Sequence, residues 1–101
     1  HGVPTPALPY IPGFEAAGTI AAVGEGVTQF KTGDRVYTNV FLGAYAEFLV
    51  QDATAVYPLP DNISFAQGAA VSSSYFTAYY ALFNSAKATP GSTVFVHGAS
   101  G

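Results

Sequence analysis

A short apolar run that ends in glycine constrains this chain more than any other feature. Ser92 to Val96 is followed directly by His97-Gly98-Ala99-Ser100-Gly101. A continuous run of this kind is expected of a buried parallel strand, because both faces of such a strand are covered. A glycine-rich turn at its carboxyl end lets backbone amides approach a pyrophosphate. An ordinary strand-to-loop turn is the alternative reading of the same residues.

What precedes this run divides in two. Three prolines between Pro4 and Pro9, then Pro12-Gly13, mark an extended, turn-rich opening. Gly18 to Val23 reads as a strand closed by Gly24-Glu25-Gly26, and Lys31 to Asp34 as a turn. A strand restarts at Arg35 to Tyr37, Ala44 to Val50 alternates as a half-buried strand would, and Ala55 to Tyr57 is a further short strand. Short strands with regular punctuation suggest a small antiparallel barrel or sandwich.

After Pro60 the pattern becomes helical. Ser64-Phe65-Ala66-Gln67 is a capping box, serine serving the first amides and Gln67 reaching back. A short helix through Val71 is expected to break at Ser72-Ser73-Ser74, and a second to run from about Thr77 to Ser85. Phe76, Tyr79, Tyr80 and Phe83 recur at three- and four-residue spacing, the mark of a packed helix face, with a ligand-stacking face as the alternative. Thr89-Pro90-Gly91 then turns the chain toward Ser92.

Composition sharpens the exclusions. Half of the residues are hydrophobic and 9% are charged, against roughly 25% charged in an average globular domain, so disorder is disfavoured. With a net charge of -3 and only three basic residues, Lys31, Arg35 and Lys87, nucleic acid is disfavoured as a partner. The chain has no cysteine, which excludes a disulfide framework and a thiolate nucleophile from it. His1 and His97 cannot complete a zinc site alone. No apolar run reaches the roughly 18 residues of a membrane-spanning helix, and a cytoplasmic location is the expectation. The chain opens on His1 and stops on Gly101, which reads as a piece of a longer protein.

Pro12-Gly13-Phe14-Glu15-Ala16-Ala17-Gly18, Val23-Gly24 and Gly33-Asp34-Arg35-Val36 together resemble the signature of the medium-chain dehydrogenases/reductases. Gly43 to Glu47, Gln67 to Ala70, Tyr75 to Tyr79 and Val96 to Gly101 extend the likeness over nearly the whole chain, toward the zinc-independent quinone oxidoreductases of the zeta-crystallin type. The resemblance implies an α/β protein, a GroES-like β-barrel followed by the start of a doubly wound Rossmann domain, with part of each present. Residues 1–60 would be the later part of the GroES-like catalytic domain. Residues 61–101 would be connecting helices and the first strand of the Rossmann NADP-binding domain.

It also implies NADPH as cofactor, with Ser100 and Gly101 in the phosphate loop and Thr77 beside the nicotinamide carboxamide. A hydroxyl suits that task because it can donate or accept, although a threonine can equally bond back to its own helix turn. Zinc-dependent relatives carry a histidine where this chain has Phe14, and phenyl cannot ligate a metal, so no metal site is expected. The function implied is reduction of a quinone by hydride transfer without zinc, in a homo-oligomer. An enoyl or alkenal reductase is the alternative enzyme, and a structural or RNA-binding protein of the zeta-crystallin kind the alternative class.

No acid/base dyad is visible. Asp34-Arg35 reads as a turn ion pair, Glu15 as a structural hydrogen-bonder, and His97 as a strand-end residue under the cofactor loop. Tyr45 and Tyr75 are expected in the core, with the substrate cleft as the alternative.

Overall fold

The computed structural model describes residues 5–100. Its only sheet among those residues is antiparallel, in the order β1 (Glu15–Thr19), β2 (Arg35–Asn39), β3 (Val56–Pro58). A helical stretch over 65–85 lies against it. The three strands form an open sheet and do not close into a barrel among the described residues.

β1 begins three positions before the expected Gly18 and stops well before Val23. The pairing explains both limits. Val40 donates to the Phe14 carbonyl at 2.8 Å, carrying the ladder past Glu15, and Ile20 donates to the Asp34 carbonyl at 2.9 Å at the other end. Beyond Ile20 the partner chain turns away, so Ala21 to Val23 have nothing to pair with. That turn is closed by Lys31, whose Nζ donates to Asp34 at 2.6 Å, and by Gly33 in the left-handed region at φ 91°.

The expected Asp34-Arg35 ion pair is therefore not formed. Asp34 belongs to Lys31, and Arg35 reaches across to donate to the Pro60 and Ile63 carbonyls at 2.7 and 2.6 Å. Its guanidinium also lies 4.6 Å from the centre of the Phe65 ring. Asp34 closes the turn before β2 while Arg35 begins the strand, so two side chains that neighbour each other in sequence take different partners.

β3 pairs with β2 so that Tyr37 faces Tyr57, their rings 5.5 Å apart. Thr38, buried on β2, donates to the Ala55 carbonyl at 2.6 Å and so leaves no unmet polar group. The expected strand over 44–50 is absent. Tyr45 and Ala44 instead donate to the Pro12 and Gly13 carbonyls at 3.0 and 3.2 Å, and Ala46 folds back onto the Ala44 carbonyl. The alternation that suggested a strand finds no ladder, and Phe48 and Val50 stand exposed.

The capping box forms as expected, with Gln67 N–H donating to Ser64 Oγ at 3.1 Å and Ser64 N–H to Gln67 Oε1 at 2.9 Å. The serine run does not break the helix. α1 (Phe65–Ala70) widens into π-helical geometry over Val71–Tyr75, narrows again as α2 (Phe76–Tyr79), and ends in a second π-helical segment, Tyr80–Ser85. Lys87, at φ 57°, and Ala88, donating to the Leu82 carbonyl at 2.8 Å, close the end.

The helix meets the sheet at Gly68, which is buried. A Cβ there would stand 2.7 Å from Leu59 Cδ1 and 3.2 Å from Ala17 Cβ. Val36 and Leu59 are the buried apolar side chains of this contact. The aromatic face expected to pack, Phe76, Tyr79, Tyr80 and Phe83, is exposed instead, and Tyr75 with it. The predicted parallel strand over 92–96 is likewise not formed, and Phe95 is 85% exposed. A parallel strand exists only beside neighbours, and no described strand lies next to it. The Thr89-Pro90-Gly91 turn does form, Ser92 donating to the Thr89 carbonyl at 3.0 Å with Gly91 at φ 86°.

Arg35→Ala should lower unfolding free energy by about 1–3 kcal/mol, because two carbonyls lose a charged donor. Arg35→Lys should recover only part, since an ammonium lacks the fork. Chemical denaturation of the intact protein measures both. Asp34 is held below the usual carboxylate range, chiefly by the Lys31 side-chain hydrogen bond. Its contribution to stability is thus present above the unfolded value and lost as pH falls through the folded one. Asp34→Asn should flatten the stability curve in that acidic window and leave it unchanged in shape at neutral pH.

Candidate active-site cleft

A cleft of about 580 Å³ opens where the turn-rich opening, the loop after β2 and the helix converge. Each wall has a local cause. Gly13, at φ 104°, sits under Tyr45 so tightly that a Cβ would come within 2.7 Å of its ring and 2.9 Å of its backbone nitrogen. Only glycine satisfies both the conformation and the space. The two hydrogen bonds from Ala44 and Tyr45 to Gly13 and Pro12 then hold the loop over the opening segment. Phe14, Phe41 and Tyr45 thereby line one cleft with Ala66, Ala69 and Ala70 of α1. The alanines recur at helical spacing, so α1 offers a low surface and the rings supply the walls.

The polar groups are few. Among the described residues Glu15 is the one charged residue lining the cleft, and Ser74 lines it from the π-helical segment. Glu15 Oε2 accepts from the Ser73 amide at 3.0 Å, and Ser72 Oγ donates to Asn39 Oδ1. Glu15 and Asn39 are directly paired across β1 and β2. One rung of the sheet therefore grips two successive serines of the widened turn. The bond from the Ser73 amide to the carboxylate agrees with the expectation that Glu15 is a structural hydrogen-bonder. The two carboxyls displaced from their ordinary values, Asp34 and Asp52, lie in turns elsewhere, Asp52 lowered first by the Thr54 hydroxyl.

The structure brings Phe14, Glu15 and Tyr45 together and leaves the expected cofactor residues apart from them. Tyr45 is not in the core but 77% exposed on the cleft wall, the alternative that the sequence had left open. Thr77 is exposed on α2 and does not line the cleft. Ser100 is exposed in the terminal turn, and Gly101 lies outside the described residues. His97 stands beside Phe95, ring centres 5.7 Å apart, rather than at a strand end. Sequence reasoning missed Phe41, Ser74 and the alanine floor. The spacing of Ala66, Ala69 and Ala70 was visible, but nothing in it distinguishes a cleft floor from a packed face.

The donor set bears on what could bind. One carboxylate without imidazole or thiolate does not suit zinc, and among the described residues no cluster of three His, Cys, Asp or Glu lies close enough to hold a metal ion. A phosphate could approach the terminal turn, where Gly98 has φ 62° and a Cβ would meet nothing within 4 Å. The exposed Thr77 hydroxyl is equally open to a ligand.

A family model for the alcohol dehydrogenase GroES-like domain matches residues 1–61. A quinone oxidoreductase of Rattus norvegicus is 54% identical over 97 residues, covering 95% of this chain and 30% of that protein. The Homo sapiens quinone oxidoreductase is 50% identical over 97 residues, again 95% of this chain and 30% of its own length. The crystal structure of human synaptic vesicle membrane protein VAT-1 homolog-like protein superposes with a TM-score of 0.77 at 38% identity, covering 85% of this chain and 27% of that one. A probable oxidoreductase from Mycobacterium abscessus gives 0.67 at 35% identity, covering 73% and 23%. The chain spans about 30% of the length of these quinone oxidoreductases.

Gly13→Ala should destabilise the intact protein by about 1–3 kcal/mol, from strained backbone and overlap with Tyr45. Gly43→Ala, at φ 103° but with nothing within 4 Å of the new Cβ, carries the strain alone. A larger fall in melting temperature for Gly13→Ala than for Gly43→Ala checks the close approach separately from the dihedral.

Proposed function

This chain belongs to the alcohol dehydrogenase GroES-like domain family of the medium-chain dehydrogenases/reductases, and on that premise we propose that its cleft seats a quinone for reduction by NADPH without zinc. The observation that carries the reading is the wall of Phe14, Phe41 and Tyr45 facing an alanine floor. Aromatic rings around a low apolar surface favour a flat, uncharged, conjugated ligand. The names of the relatives at 54% and 50% identity support a quinone as that ligand.

A bound NADPH would supply the hydride. The chain's own residues hold the acceptor flat between the rings and the helix, which keeps water off its faces and fixes its distance from the donor. In the overall change the quinone gains that hydride and one proton and leaves as hydroquinone. A quinone is already electron-poor, so positioning can suffice. Oxidising a saturated alcohol requires its hydroxyl proton to depart with the hydride, a task eased by a Lewis acid. Phe14 occupies the cleft wall where zinc-dependent relatives are expected to carry their histidine, which supports the zinc-independent reading.

For the cofactor, Thr77 is assigned to the carboxamide and Ser100 with Gly101 to the phosphates. The division of the chain into a GroES-like part, 1–60, and a part leading into a Rossmann domain, 61–101, belongs to the same proposal, as do a homo-oligomer and a cytoplasmic location. No helix among the described residues is long and apolar enough to cross a membrane.

The full-length protein should oxidise NADPH when given a simple benzoquinone or naphthoquinone, and leave ethanol with NADP⁺ untouched, as followed by NADPH absorbance. Tyr45→Ala should raise the quinone KM roughly 5- to 20-fold, the loss of about 1–2 kcal/mol of ring contact. Robust alcohol turnover would refute the reading, and fast enone reduction with negligible quinone reduction would move it to the enoyl or alkenal reductases.

A further inference from the structure

We propose that Glu15 sorts hydride acceptors by charge, rejecting those with an anionic substituent on the ring; the proposal rests on the cleft being the acceptor site. Among the described residues, Glu15 is the only charged one lining the cleft. Its Oε2 is engaged by the Ser73 amide, which anchors the carboxylate at the junction of β1 and the widened helix turn. The anchor matters because a free glutamate could swing away from an anion, and a fixed one cannot.

No cation lines the cleft among the described residues. Lys31 is paired with Asp34. Arg35 is committed to the Pro60 and Ile63 carbonyls. Lys87 lies beyond the helix end and does not line the cleft. The other partner of the same rung, Asn39, is neutral and is occupied by Ser72. The surroundings are aromatic rings and alanine methyls, which screen a charge poorly. An anionic ring substituent in this cleft therefore meets a fixed like charge, whereas a neutral quinone meets an apolar wall.

Glutamine at this position tests the idea, because its side-chain oxygen can still accept from the Ser73 amide while the charge is gone. The full-length protein with NADPH is assayed on 1,4-naphthoquinone and on 1,4-naphthoquinone-2-sulfonate, as wild type and Glu15→Gln. The intrinsic reactivity difference between the two quinones is common to both proteins and cancels in the ratio of their kcat/KM values. Removing one like-charge contact should shift that ratio about tenfold toward the sulfonate, whatever the change in the rate on the neutral quinone. A second arm needs no turnover: calorimetric affinities for 2-naphthol and naphthalene-2-sulfonate should shift in the same sense. Glu15→Ala, which also loses the Ser73 anchor, should show the same charge preference on a less stable protein.

An unchanged ratio in both arms overturns the proposal, and so does an equal loss for both ligands, which would mark Glu15 as structural only. Should neither quinone be reduced, the oxidoreductase reading fails and the binding arm still decides the charge filter.

Discussion

The approach of the helix to the sheet at Gly68 is the contact on which the rest of the arrangement depends. With hydrogen in place of a side chain, α1 settles onto Leu59 and Ala17 so closely that a Cβ would require the Leu59 side chain to shift. That closeness determines where the rest of the helix lies, and the same helix supplies the cleft floor through Ala66, Ala69 and Ala70. Arg35 secures the near end of the contact by holding the 60–63 loop, and the capping box starts the helix at the right residue. At the far end the rung of Glu15 and Asn39 takes hold of Ser72 and Ser73. A helix held at its start and again at residues 72–73, with the sheet contact between, has little freedom to tilt there.

The second of those grips falls inside the widened turn. π-helical geometry inserts an extra residue into a turn and frees backbone groups that need partners. Here the strand ends provide one, because the Glu15 carboxylate stands where the Ser73 amide emerges. The serines tolerate the arrangement, since their hydroxyls can bond outward. The widened turn in this way brings Ser74 to the cleft beside the single carboxylate, and it couples the end of the sheet to the polar corner of an otherwise apolar site.

Little apolar surface is withdrawn from water by these contacts. Val36 and Leu59 are the buried apolar residues, while Phe41, Tyr45, Phe48, Tyr80 and Phe95 stand among the exposed aromatics. Contiguous exposed apolar surface marks a binding site or a face that another body covers. The rings at 14, 41 and 45 have a use of that kind, because they line an open cleft with a polar corner.

Much of the local structure was legible in the residues themselves. The capping box, the Thr89-Pro90-Gly91 turn, the turn at Lys31 to Asp34 and the antiparallel character of the first part all rest on short-range chemistry: a hydroxyl one turn from an amide, a ring that presets φ, a glycine that accepts a positive one. The likeness in sequence reached further, since the family of residues 1–61 was recognisable from motifs spread along the chain. The readings that failed were those whose outcome lies with a distant neighbour. Alternation over 44–50 predicts a strand, yet a strand forms only if another backbone runs beside it, and here the chain bonds to Pro12 and Gly13 instead. The apolar run at 92–96 meets the same limit. Asp34 and Arg35 look like a pair until the turn gives Asp34 to Lys31 and the strand carries Arg35 to the 60–63 carbonyls. Three serines suggest a break until a carboxylate from residue 15 takes the freed amide of residue 73. The residue types and turns follow from the sequence because their energies are local, whereas the cleft belongs to the tertiary structure because its walls meet only when the helix has docked.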